Sequence, residues 1–271
     1  MVEGLGVTCY SLATEVAAPL AVVVVPGAMD RAGGFLRAIR HLDIAEVIAY
    51  DRRGYATSRA LLPSDRLEDH VDDLLAVIGD VDGPVVVVGH SQGALIALHA
   101  AARVSTTPPS ECTPAMRSIR AVGAWEPPLP WFDWYDESSQ QAVHEVIRGD
   151  VEPAAIAERF MRSAVSDRLW ERLPQTVRDE RIAEGPALIA DITASRRDDA
   201  RLDLATIALP VVVGFGSQTR PHHRRSAELV ASEVAGAQLV EVPGATHGVH
   251  LSHPEAFADF VRATVAAATG R

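Results

Sequence analysis

Hydrophobic and polar positions alternate along this chain in two periods. Residues 20–25, 46–50, 84–88, 119–125, 209–215 and 238–242 are short runs rich in Val, Ile and Leu, most of them closed by Gly, Pro or Asp. Such runs predict buried strands. Between them, residues 34–42, 67–78, 92–104, 225–234 and 254–268 carry helical spacing. In 67–78, for example, Leu67, Val71, Leu74, Leu75 and Ile78 share one face, with Glu68, Asp69, Asp72 and Asp73 opposite. Apolar strands alternating with helices predict an α/β fold, a mostly parallel, doubly wound sheet covered on both faces. The alternation lapses between Pro127 and about Ala200. That stretch holds Trp131, Trp134 and Trp170 and is broken by Pro153, Pro174 and Pro186. It predicts a helical cap over 127–200, inserted between core segments 1–126 and 201–271. The Ser/Thr/Pro-rich stretch 105–114 reads as a surface loop.

Composition narrows the function classes. The formal charge is -11 and all 25 basic residues are Arg. An acidic, lysine-free chain lacks the footprint of a nucleic-acid binder. The two cysteines, Cys9 and Cys112, form neither a zinc-ligand pair nor a disulfide framework. Residues 1–16 lack the basic and apolar regions of a signal peptide, and no apolar run is long enough to cross a bilayer. These features predict a soluble cytoplasmic protein with no cofactor, no metal, and no nucleic-acid or membrane partner.

The strongest chemical signal is Val85-Val86-Val87-Val88-Gly89-His90-Ser91-Gln92-Gly93-Ala94-Leu95. It reads strand, Gly-x-Ser-x-Gly, helix. The sharp turn lifts Ser91 clear of the sheet at a helix N-terminus, where developing negative charge is favoured, and directs the Gln92 N–H towards an oxyanion. A serine nucleophile needs a base of near-neutral pKa. His247, in Val242-Pro243-Gly244-Ala245-Thr246-His247-Gly248, follows the last predicted strand at the same end of the sheet. His250 and His253 are the alternatives nearby. His90 and His99 read as packing or hydrogen-bonding residues, and His222-His223 as a solvated loop.

The order of these motifs resembles the α/β-hydrolase superfamily across nearly the whole chain. Val25-Pro26-Gly27-Ala28-Met29 stands where that family carries His-Gly and its first oxyanion donor. Pro26 replaces the His; Ala28 is the chosen donor, with Met29 the alternative. Asp51-Arg52-Arg53-Gly54-Tyr55-Ala56-Thr57-Ser58 resembles a family loop whose charges brace it. The resemblance places a catalytic acid after the strand that follows the cap, but Gly214-Phe215-Gly216-Ser217-Gln218-Thr219-Arg220 holds no carboxylate, and Thr219 occupies the position. Glu126, in Trp125-Glu126-Pro127-Pro128, ends the preceding strand, the family's sixth, where some members carry the acid. The alternatives are a Ser-His dyad or a cap acid, Asp133 or Asp136.

This constellation implies a serine hydrolase cleaving a carboxylic ester, thioester or lactone of a small to medium apolar substrate through an acyl-enzyme. Acyl transfer and C–C bond hydrolysis use the same residues. A non-catalytic binding protein on the same fold is the competing class. Met29, Trp125, Trp131 and Trp134, with Leu129 and Phe132, wall a substrate pocket or form cap core. Of the cap arginines, including Arg148, Arg159, Arg162 and Arg168, one is a candidate ligand for a substrate anion. Oligomeric state is not legible in the sequence.

Overall fold

The Val-rich run Ala21–Val25 (β2) is buried along its whole length, yet its side chains serve two different cores. Val23 and Val25 pack on one face of a sheet, Val22 and Val24 on the other; Val85 and Val87 divide from Val86 and Val88 in the same way. Successive strand side chains point to opposite faces, so a strand covered on both sides must be apolar throughout. This computed structural model describes residues 3–11, 20–44, 46–135, 145, 148, 149 and 151–270.

The sheet has seven strands: Val7–Ser11 (β1), β2, Glu46–Tyr50 (β3), Val85–His90 (β4), Ile119–Trp125 (β5), Val211–Gly216 (β6) and Gln238–Val242 (β7). Their spatial order is β1-β3-β2-β4-β5-β6-β7. β1 runs antiparallel to β3, from Val7 opposite Tyr50 to Ser11 opposite Glu46. All other pairings are parallel. The fold is therefore the doubly wound α/β sheet expected, with one added strand. β1 escapes the hydrophobic pattern because it is an edge strand and mostly not buried.

Helices Leu67–Gly79 (α1) and Gln92–Thr106 (α2) cover one face. The insertion between β5 and β6 contains Pro153–Val165 (α3), Asp167–Arg172 (α4), Gln175–Ile182 (α5) and Gly185–Ala194 (α6). Pro221–Glu233 (α7) and Pro254–Thr269 (α8) follow β6 and β7. The second face is built on α8, whose Phe257, Phe260 and Val261 meet Trp125 and Val212. A third cluster joins insertion residues Ile156, Met161, Trp170 and Leu188 to Met29 and Tyr55 of the core. Among the described residues, no helix is long and apolar enough to cross a membrane.

The strand order fixes where a ligand fits. The chain winds outward from β2 to β3, crosses back over β2 to β4, then winds the other way through β5, β6 and β7. The winding reverses between β2 and β4, and an open α/β sheet has its crevice beyond the strand ends at that reversal. The loops leaving β2 and β4 carry Ala28 and Ser91.

One buried ion pair fastens the insertion to the core. Arg52 donates to both Asp191 oxygens at 2.6 and 2.8 Å, and the Tyr55 hydroxyl adds a third bond at 2.6 Å. Arg52 and Asp191 are both buried. Arg52→Met leaves Asp191 without its counter-ion, at a cost of about 3–5 kcal/mol. The expected result is a melting temperature roughly 10 °C lower by calorimetry. A change under 2 °C would mean that the pair is not holding the insertion.

Candidate active site

Ser91 has φ 53° and ψ -120°, a region that L-residues rarely occupy. The strain is held by its neighbours. The Ser91 N–H donates to the Trp125 carbonyl at 2.8 Å, and the Ser91 carbonyl accepts from Ala94 and Leu95 in the first turn of α2. No Cβ fits at Gly89 or Gly93: one at Gly89 would stand 2.2 Å from the Gly93 carbonyl, and one at Gly93 2.0 Å from the Val25 carbonyl. The two glycines of Gly-x-Ser-x-Gly are thus demanded by close backbone approach.

His247 lies on the loop after β7 and lines, with Ser91, a cavity of about 1000 Å³. Its Nδ1 is 2.5 Å from Glu126 Oε2. Glu126 is fully buried at the end of β5, with a positive φ of 46°. Its other oxygen accepts from the Gly216 N–H at 2.9 Å, and the Thr219 hydroxyl donates to Oε2 at 2.8 Å. Burial alone would raise this carboxyl. The bond and charge of His247, with the Gly216 and Thr219 bonds, outweigh it and hold Glu126 below the usual carboxylate range. Thr219, in the position where the resemblance placed an acid, instead grips the acid from the neighbouring strand. Of the alternative acids, Asp133 does not border the cavity and Asp136 lies outside the described residues.

The loop after β2 is held by its carbonyls. Arg52 bonds the carbonyls of Pro26 at 2.8 Å and Gly27 at 3.1 Å, and Arg181 bonds that of Met29 at 2.7 Å. In a trans peptide the C=O and N–H point opposite ways. With the Gly27 carbonyl turned to Arg52, the Ala28 N–H faces away from it. Ala28, Met29 and Gln92 all border the cavity.

A second histidine supports the first. His90 Nδ1 lies 2.7 Å from Asp30 Oδ2, and its Nε2 lies 2.8 Å from the His247 carbonyl. Both partners are acceptors, so both ring nitrogens carry protons and His90 is an imidazolium paired with Asp30. Burial lowers the His90 pKa, but the charge and bond of Asp30, then the His247 carbonyl and Glu126, more than offset it and raise it. Asp30 also accepts from the Gly27 N–H at 3.2 Å. The pair therefore joins the Gly27–Met29 loop to the loop of His247. His250, 4.6 Å from His90 ring to ring and stacked on Phe35, is pushed down to about 3 by burial and then by the His90 charge.

This gives a pH dependence of defined sign. A raised histidine contributes stability that is complete below about 6.5 and lost as pH rises through the raised value. Asp30→Asn removes the counter-ion and with it this loss. Melting curves from pH 6 to 9 should fall more steeply for wild type than for Asp30→Asn; parallel curves would show that the pair contributes no such term.

The remaining expectations divide. His223 is not in a solvated loop: Pro221 opens α7 two residues earlier, and the His223 ring stacks on His247 at 4.2 Å and 12°. Burial first, then the neighbouring charges of His247, His222 and Arg220, hold it well below the ordinary histidine value. Pro at a first helical position was the signal available for it. His222 is also buried. His99 is buried and bonds the Ala200 carbonyl, the packing role expected. Trp125 does not wall a pocket; it is fully buried against Phe257 and Phe260. Trp131 and Trp134 pack against the main core and do not border the cavity. Trp134 instead lies under the Arg225 guanidinium at 4.7 Å. Met29 alone of the four substrate candidates borders the cavity.

Among the described residues, two groups have ligand atoms close enough for a metal ion, Asp30–His90–His250 and Glu126–His223–His247. In the first, both His90 nitrogens act as donors; in the second, His247 Nδ1 and Glu126 are engaged with each other. Neither offers a full set of free lone pairs.

Comparison with known proteins follows the same lines. The sequence profile of the Alpha/beta hydrolase family matches residues 22–260. A pimeloyl-[acyl-carrier protein] methyl ester esterase of Neisseria meningitidis is 29% identical over 236 residues, covering 83% of this chain and 71% of that protein. The polyketide synthase ThaQ of Burkholderia thailandensis is 28% identical over 255 residues, covering 87% of this chain, which spans only 11% of that protein's length. Among solved structures, the enol-lactonase from Burkholderia xenovorans LB400 superposes with a TM-score of 0.73 at 19% identity, covering 96% of each chain.

Proposed function

Since the chain belongs to the Alpha/beta hydrolase family, we propose that it is a serine hydrolase that opens a carboxylic ester, thioester or lactone of a small to medium apolar acid through an acyl-enzyme. The observation that carries this reading is the line Glu126–His247 ending in the cavity that Ser91 also borders, with the 2.5 Å contact on the imidazole nitrogen Nδ1.

In this mechanism Ser91 Oγ attacks the substrate carbonyl while His247 Nε2 takes its proton. Glu126 keeps the proton on Nδ1, so that Nε2 is free to accept, and stabilises the imidazolium that results. The N–H groups of Ala28 and Gln92 receive the oxyanion, aided by the N-terminus of α2. His247 then returns its proton to the leaving oxygen or sulfur, and the acyl group stays on Ser91. A water molecule, deprotonated by His247, repeats the sequence and frees the acid. The insertion 127–200 acts as the cap: Ile156, Met161 and Leu188 from its helices join Met29 in giving the cavity an apolar side. The relative named as an ester esterase fits this chemistry.

The test is labelling by a fluorophosphonate probe, followed by mapping of the modified residue, alongside p-nitrophenyl esters of graded chain length, thioesters and lactones. Modification of Ser91 and turnover of at least one class are expected. A chain that takes no label and turns over none of them is a binding protein on this fold.

A further inference from the structure

The chain carries a formal charge of -11, yet among the described residues four arginines border the cavity: Arg159, Arg181, Arg196 and Arg220. Two of them are occupied. Arg159 pairs with Glu145, and Arg181 with Glu184 and the Met29 carbonyl. The acidic groups Asp30 and Asp191 in the same wall are held by His90 and by Arg52 with Tyr55. Arg220, after β6, donates to the Ser163 hydroxyl at 2.9 Å and, among the described residues, forms no ion pair. Arg196, two residues beyond α6, is half-buried, and among the described residues no ion pair is found for its guanidinium, whereas the adjacent Arg197 pairs with Asp65 and Asp199. Burial pushes the Arg196 pKa down, opposed by the Tyr135 hydroxyl.

Withdrawing a guanidinium from water without a counter-ion is unfavourable, and a fork of N–H donors matches a carboxylate or phosphate. Arg196 and Arg220 both border this cavity, and so do Tyr135 and His222, whose rings lie 4.6 Å apart; His222 stands in the first turn of α7, two residues after Arg220.

We propose that the cavity selects acyl substrates bearing a second, anionic group remote from the scissile carbonyl, and that Arg196, assisted by Arg220, binds it. This rests on the hydrolase reading above and narrows its substrate class. The apolar residues Ile156, Met161 and Leu188 then accommodate the chain between the two polar ends.

The test compares the mono-p-nitrophenyl ester of a dicarboxylic acid with the same ester methyl-capped at its free carboxyl. A charge-assisted hydrogen bond of about 1.5–3 kcal/mol predicts a kcat/KM roughly 10- to 100-fold higher for the anionic ester, mainly through KM, shrinking in high salt. In Arg196→Met this ratio should fall towards one; Arg196→Lys should restore part of it. Because the ratio is internal to each variant, a general loss of folding or turnover does not mimic the result. A second readout needs no catalysis: the free dicarboxylate should raise the melting temperature of wild type and not of Arg196→Met, and inorganic phosphate in the same assay distinguishes a phosphate-bearing ligand. A wild-type ratio near one, or one unchanged in Arg196→Met, overturns the proposal while Ser91 labelling keeps the hydrolase reading. No labelling and no turnover defeats that reading, and the melting shift then decides the anion site alone.

Discussion

Ser91→Ala is expected to lower kcat by about 10⁵- to 10⁶-fold on any ester the protein cleaves, with KM little changed. In the proposed mechanism the hydroxyl oxygen is the atom that becomes acylated, so no neighbour replaces it. The residual rate over water, on the order of 10³- to 10⁴-fold, then reflects the oxyanion donors and substrate binding, which a side-chain truncation leaves in place. Folding should survive, because the strained backbone at φ 53° is held by the Trp125 carbonyl and by Ala94 and Leu95, not by the hydroxyl. Alanine at this φ remains strained as serine is, so the melting temperature should stay within a few degrees. The measurement is steady-state turnover with calorimetry on the same sample, and loss of fluorophosphonate labelling. Esterase activity near wild type in the purified variant would remove Ser91 from the mechanism.

Glu126→Gln is expected to lower kcat by about a hundredfold or more; loss of the corresponding carboxylate in a well-studied Ser-His-Asp triad costs about 10⁴. Its effect follows from the proton positions. Glu126 accepts at Oε2 from His247 Nδ1 and from the Thr219 hydroxyl, and at Oε1 from the Gly216 N–H. A glutamine keeps its oxygen on Gly216, the one partner that only donates. Its NH₂ then faces His247 and donates to Nδ1. The imidazole proton moves to Nε2, the nitrogen that takes the Ser91 proton in the proposed mechanism, and that nitrogen can no longer accept it. The imidazolium formed during attack also loses its counter-ion. Since Glu126 is held below the ordinary carboxylate range, it is ionised throughout the neutral pH range and the wild-type rate should show no step from its titration there. Thr219→Ala removes one of several bonds to the carboxylate and should cost only a few fold. A Glu126→Gln rate within threefold of wild type would show that another group, or none, orients His247.

These two variants separate roles that two different stretches of the sequence suggest. Gly-x-Ser-x-Gly after a buried strand was readable because its constraints are local. The turn needs small residues within two positions, and the apolar strand and the helix are each contiguous. The same holds for the strand run Val85–His90, the charged loop Asp51–Ser58 and the helix faces. Glu126 is a candidate through the family resemblance, which allows an acid at either of two strand ends; the turn after β6 offers Ser217, Gln218 and Thr219 and no carboxylate, which leaves the end of β5.

What only the folded chain decided are the pairings across the loops. His90 meets Asp30 across 60 positions and His247 across 157, and no spacing rule links them. Arg52 meets Asp191 across 139. Trp125 closes β5, whose alternating side chains send the tryptophan into the α8 face, and Glu126, just past the strand end at φ 46°, carries its carboxylate to His247. His223 depended on where α7 begins. Local pattern is legible because a residue and its nearest neighbours share one periodic backbone. Side-chain partners set by the winding of the sheet are not, because their distance in space has no fixed relation to their distance along the chain.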